Sequence, residues 1–296
     1  MCCSKPLIRF QEPVAAEGHG GGALDGGETV GYRRHARGAR LMGYAWQWLR
    51  SLVFAGQAYA MMGLMAIFFT PWAMLDRRGA FAAVHTWCRW VRWTARWMIG
   101  LHSEVRGAVP TGEVMIAAKH QSFFDIIILV SELPRPKFIM KQELNRAPIL
   151  GWYARRIGCV PVDRGRRGRA IKDMLARVAS GQQEPGQLII YPQGTRVAPG
   201  AAKEYKVGTG VLYQEMGVTC VPVACNVGVF WPRRQIYRAP GTAVLEFMDP
   251  IPPNLPLRDF MTRLEEEIEG GSNRLMAEAG FAAPLPAPGP GTGRNR

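Results

Sequence analysis

A chain of 296 residues with 48% hydrophobic, 10% aromatic and 20% charged content has enough apolar mass for one full core, which excludes disorder throughout and leaves little for a second large domain. Its 37 Lys and Arg against 23 Asp and Glu give a formal charge of +14, which suits an anionic partner: a phosphate substrate, an anionic lipid or a nucleic acid. Six cysteines with no CxxC pair and five histidines with no HExxH spacing argue against a disulfide framework and a metal centre, and for a reducing compartment.

Residues 1–40 are rich first in glycine and then in arginine (Arg33, Arg34, Arg37, Arg40) without apolar periodicity, and read as a disordered basic tail. No apolar core follows the start, so the tail does not resemble a secretory signal. Residues 51–75 contain no charge, and at about 1.5 Å per residue such a helix reaches across a hydrocarbon layer of about 30 Å. Gly56, Gln57, Tyr59, Gly63 and Pro71 interrupt the run, which leaves open a bilayer span, a helix half-inserted in one leaflet and a buried core helix.

Over 85–101, on a wheel of about 100° per residue, Trp87, Trp90, Val91, Trp93, Trp97 and Met98 share one side while Arg89, Arg92 and Arg96 share the other. Indoles at headgroup depth opposite guanidinium groups that meet lipid phosphates describe an interfacial helix; the alternative is a Trp face packed on the protein core. Arginines flank the uncharged run at both ends, so charge favours a return to the same membrane face. Residues 41–101 are therefore expected to form a membrane-associated helical hairpin.

Short apolar runs at 113–119, 137–140, 159–163, 187–191, 218–226 and 242–248 read as strands, and 123–131, 147–156, 169–180, 211–216 and 257–279 as helices. This alternation predicts an α/β domain over 102–281, with a largely parallel or mixed central sheet flanked by helices. Residues 282–296 are a Pro/Gly-rich tail expected to be disordered.

The first strand runs into KHQSFFD, where His120 and Asp125 stand five apart. On one continuous helix that spacing is about 140° of rotation, so the two meet only if the histidine precedes the helix. Ser122 and Asp125 fit a capping box that starts the helix at that point and turns Asp125 back toward the loop. A carboxylate bonded to one imidazole nitrogen fixes the tautomer and frees the other nitrogen to take a proton from a hydroxyl. An ordinary capping aspartate beside an ordinary loop histidine is the plainer reading; the carboxyl end of an α/β strand, where ligands collect, favours the chemical one. Further on, a strand ends in Pro192-Gln193-Gly194-Thr195-Arg196, where proline stops the ladder, glycine permits unusual dihedrals and arginine presents a fork suited to phosphate.

Taken in order, His120-x4-Asp125, the 141–164 segment KQELNRAPILGWYARRIGCVPVDR, YPQGTR at 191–196 and VPVACNVG at 221–228 resemble the four sequence blocks of the glycerolipid acyltransferase family, in particular its bacterial 1-acyl-sn-glycerol-3-phosphate acyltransferases. The resemblance implies transfer of an acyl group from acyl-CoA or acyl carrier protein to the free sn-2 hydroxyl of a lysophospholipid, without a covalent intermediate and without metal or organic cofactor. It implies His120 as base and Asp125 as its orienter. Lys141, Arg164 and Arg196 would approach the acceptor phosphate, with Gly194 and Thr195 in the same turn, and Val221, Pro222 and Val223 would lie beside the acyl groove.

It further implies a bacterial inner-membrane protein whose catalytic domain faces the cytoplasm, with membrane lipids as partners. Cys159 reads as a buried core thiol rather than a nucleophile. Nucleic acid is not an expected partner, since no aromatic platform is interleaved with the later basic residues. Gln193 departs from the family pattern, which carries an acidic residue there, and is expected to make the field near Arg196 more positive. That departure keeps two other readings open: an acyltransferase for a different lysolipid, such as a lyso-ornithine lipid, and a non-catalytic lipid-binding protein of the same fold.

Overall fold

The computed structural model describes residues 28–141, 148–162 and 185–281. The chain divides into two compact units, Met1–Tyr44 and Ala45–Arg296. In the first, the described residues are the opening turns of helix α1 (Glu28–Leu75). The stretch from 28 to 40 is thus helical where a tail was expected; 1–27, the 282–296 tail and the expected helix at 169–180 lie outside the described residues.

In the second unit α1 turns at Asp76 into α2 (Arg77–Met98). Asp76 has extended dihedrals and accepts the Arg78 N–H at 2.8 Å, an N-cap that restarts the helix after a break. The two helices approach so closely at this turn that a Cβ on Gly79 would lie 2.6 Å from the Ala73 nitrogen. Further along, the Trp87 indole donates to the Ala58 carbonyl, the Trp90 indole to Gln57, and the Gln57 amide to Thr94. Polar groups in an apolar hairpin are thereby satisfied by one another.

The Trp and Arg residues of α2 do not divide as the wheel predicts. Trp87 and Trp90 are half-buried against α1, whereas Trp93 and Trp97 are exposed; Arg92 turns inward to Glu132, Ser131 and Ser103. Residues 42–75 are long and apolar enough to cross a membrane, and 17% of their most apolar window is buried.

Among the described residues seven strands follow: β1 (Leu101–Arg106), β2 (Val114–Ala118), β3 (Pro136–Lys141), β4 (Val160–Val162), β5 (Gln187–Ile190), β6 (Cys220–Cys225) and β7 (Gly241–Phe247). They form one sheet in the order β1-β7-β6-β2-β5-β3-β4. From β6 to β4 all pairs are parallel; β7 runs antiparallel to β6, and β1 parallel to β7. The helices are α3 (Phe124–Glu132), α4 (Pro148–Arg156), α5 (Gly208–Met216), α6 (Val227–Phe230) and α7 (Leu257–Glu278). Strand β1 and the one-turn α6 have no counterpart in the sequence reading.

The period-two alternation of β2 builds both layers of the core. Ile116 and Ala118 pack with Val221, Val223, Phe124 and Ile128, under α2 and α3. Met115 and Ala117 pack with Leu188, Tyr213, Phe260, Leu264 and Ile268, under α5 and α7. Helix α4 closes the end of α1: Arg156 donates to the carbonyls of Ala73 and Met74, and the Tyr153 hydroxyl to that of Ala66. A cation on the last free carbonyls of a helix also complements its dipole.

Candidate active site

The parallel arrangement brings the carboxyl ends of β2 and β5 side by side, which is where an α/β sheet gathers its chemistry. His120 lies just beyond the end of β2 and precedes α3, as its spacing to Asp125 requires. Its Nδ1 is 3.0 Å from Asp125 Oδ1. The second carboxylate oxygen, Oδ2, accepts the backbone N–H groups of Gln121 at 2.9 Å and Ser122 at 2.7 Å. Asp125 is fully buried, while the His120 side chain keeps 12% exposure.

The turn differs from a capping box in one bond. Ser122 Oγ accepts the N–H of Phe124 at 3.2 Å, and the side chain that points back from the first turn is Asp125. One carboxylate therefore both starts the helix and aims the imidazole. The contact at Nδ1 places a proton there and leaves Nε2 as the acceptor, which is the arrangement a general base needs.

The turn after β5 sits against the dyad. The Val197 N–H donates to the His120 carbonyl at 2.8 Å, and the Tyr191 ring stacks on the imidazole with centroids 3.9 Å apart. The Tyr191 hydroxyl is buried without a partner among the described residues; burial, and after it the Asp125 carboxylate, hold this phenol well above its ordinary range. Gly194 has φ +67, a left-handed conformation that favours glycine. A Cβ there would lie 2.7 Å from Lys206 Nζ.

Lys206 thus adds an ammonium group beside Gly194, Thr195 and Arg196, which the sequence reading missed; the signal was a lysine close behind the turn, without a motif of its own. The half-buried Arg196 makes no ion pair among the described residues.

Of the expected site residues the structure brings together His120, Asp125, Gly194, Thr195 and Arg196. Lys141 ends β3, and its side chain lies outside the described residues, as does Arg164 entirely. Val221, Pro222 and Val223 are buried in the middle of the sheet, between β2 and β7, so they form core and not the wall of a groove. Cys159 is buried and its thiol is pushed up to about 11 by desolvation, unfit for nucleophilic attack near neutral pH.

The family model described as Acyltransferase matches residues 102–226. A 1-acyl-sn-glycerol-3-phosphate acyltransferase of Pseudomonas aeruginosa is 28% identical over 182 residues, covering 61% of this chain and 70% of the relative. The alpha form of that enzyme from Mus musculus is 26% identical over 163 residues, 53% of this chain and 57% of its own. Among solved structures, the 1-acyl-sn-glycerophosphate acyltransferase PlsC of Thermotoga maritima superposes with TM-score 0.66 at 20% identity, over 79% of this chain and 99% of that one. The segment matched by the family model is the same one that sets His120, Asp125 and the 191–197 turn at one end of the sheet.

Proposed function

We propose that the protein transfers a fatty acyl group from an acyl thioester, acyl-CoA or acyl carrier protein, to the sn-2 hydroxyl of 1-acyl-sn-glycerol-3-phosphate, forming phosphatidate. The observation that carries this reading is the 3.0 Å contact between His120 Nδ1 and a buried carboxylate whose other oxygen is held by two backbone N–H groups. His120 Nε2 takes the hydroxyl proton as the alcohol oxygen attacks the thioester carbonyl. The tetrahedral adduct then collapses, the C–S bond breaks, and the imidazolium returns its proton to the departing thiolate. The products are an ester and a thiol, and no group on the enzyme is acylated.

Arg196 and Lys206 supply positive charge for the acceptor phosphate, a role the family resemblance extends to Lys141 and Arg164, and Gly194 lets backbone come near it. The exposed apolar residues of α1, with Trp93 and Trp97 on α2, serve to hold the protein at a membrane where lysophospholipid resides. We place it at a bacterial inner membrane with the dyad on the cytoplasmic side. The reaction as written needs no metal.

A mass-resolved acyl-transfer assay on purified protein, run over defined thioester donors and a panel of lysolipid acceptors with and without phosphate, tests the assignment. Lysophosphatidate is expected to be the preferred acceptor. His120→Ala is expected to lose turnover by about 10²–10⁴-fold while remaining folded and vesicle-bound; full turnover by that variant sinks the mechanism.

A further inference from the structure

Behind the dyad lies an ion pair that the reaction above does not use. Lys119 and Glu269 are both buried, with Lys119 Nζ 2.5 Å and 2.7 Å from the two carboxylate oxygens. Their meeting follows from strand alternation: Met115 and Ala117 face the α7 layer, so Lys119 does too, while His120 turns to the other side. Glu269 Oε1 also accepts the Tyr205 hydroxyl at 2.9 Å and the Gln193 amide at 3.3 Å. A single oxygen thus collects donors from the end of β2, from the start of the Gly194–Arg196 turn, and from the segment that leaves it. The Gln193 amide holds the turn a second way, through the Lys203 carbonyl at 3.3 Å.

The identity of residue 193 now has a physical reason. Gln193 is 2% exposed, and a carboxylate in its place would face Glu269 Oε1 with no proton between them and one cation to share. A negative charge nevertheless meets the turn at this point: it enters from α7, on the Glu269 carboxylate that the Gln193 amide contacts.

We propose that Glu269 is a positioning residue for acyl transfer, fixing the strand that carries His120 against the turn that carries Gly194–Arg196, and that Gln193 is the neutral neighbour this arrangement requires. The inference rests on the acyl-transfer reading of the same site. It predicts that the negative charge can change places with the amide.

The test is a four-corner comparison of the parent, Glu269→Gln, Gln193→Glu and the double exchange Gln193→Glu/Glu269→Gln. kcat and KM for lysophosphatidate are measured beside thermal midpoints. Glu269→Gln is expected to lower kcat/KM on the order of 100-fold, because the strand and the turn lose their common anchor. Gln193→Glu is expected to lower it about tenfold, and the double exchange to return within about threefold of the parent, since the two sites couple.

Parental turnover in Glu269→Gln, or a double exchange no more active than Glu269→Gln, overturns the proposal. So does recovery of the thermal midpoint in the double exchange without recovery of kcat/KM, which marks a structural role alone. Absence of turnover in the parent refutes the acyl-transfer reading instead, and the midpoints then decide the charge sharing by themselves.

Discussion

At the scale of single residues, Asp125 carries more of the site than any other side chain. It bonds two backbone N–H groups and one imidazole, all inside the protein. An amide cannot satisfy three such partners at once, because its NH₂ must turn either toward the backbone donors or toward the protonated Nδ1. Asp125→Asn is therefore expected to lower kcat by about 10²–10⁴-fold, with a smaller change in KM for lysophosphatidate. Steady-state kinetics on vesicle-bound protein measure this, and an unchanged kcat refutes the orienting role. The dyad was legible in the sequence because both partners lie on one short turn, where spacing alone decides whether they meet. The Lys119–Glu269 pair was not, since its members are 150 residues apart and meet only through the sheet and α7. Lys206 stayed hidden for a similar reason: its closeness to Gly194 depends on the path of a loop.

At the scale of elements, a strand was readable wherever it is buried on both sides. Strands β2, β5 and β6 show as apolar runs for that reason. Strand β1, LHSEVR, lies at the sheet edge with a mostly polar, partly exposed pattern, and offers no such run. In α2 the wheel fails to divide tryptophan from arginine, because a wheel has no knowledge of which neighbour occupies each side, and Arg92 turns inward to Ser103, Ser131 and Glu132. Trp87 and Trp90 donate to α1, leaving Trp93 and Trp97 open at 56% and 57% exposure. If these two indoles serve the lipid surface and not the fold, replacing both by serine should weaken binding to anionic vesicles while leaving the thermal midpoint within about 1–2 °C of the parent. Vesicle co-sedimentation and a melting curve separate the two effects. A large loss of stability with unchanged binding would assign the pair to packing.

At the scale of the whole molecule, the apolar helix α1 and the dyad are joined by one aromatic stack. Phe54 of α1 meets Trp231 edge-on at 5.6 Å, and Trp231 stacks on Phe124 at 5.0 Å, the residue next to Asp125. Phe54 and Phe124 are fully buried, and Arg238 lies over the Trp231 ring at 4.3 Å. The same region is stitched by polar contacts: Gln47 donates to the Ile99 and Arg238 carbonyls, and Ser51 accepts the Arg238 N–H. On the proposed function, with the acceptor held in a bilayer, such a joint would let the depth of α1 set the height of His120 above the lipid. Phe54→Ala removes the first ring of the stack and leaves a cavity, at a cost of about 3–5 kcal/mol. At about 2–4 °C per kcal/mol for a domain of this size, the thermal midpoint should fall by roughly 6–20 °C. Phe54→Leu, which keeps most of the volume, should cost much less. If the stack also transmits position, Phe54→Ala assayed well below its melting point should lose turnover on vesicle-borne lysophosphatidate more than on the same acceptor in dispersed micelles. Equal losses in the two assays would confine Phe54 to stability and free the dyad from α1.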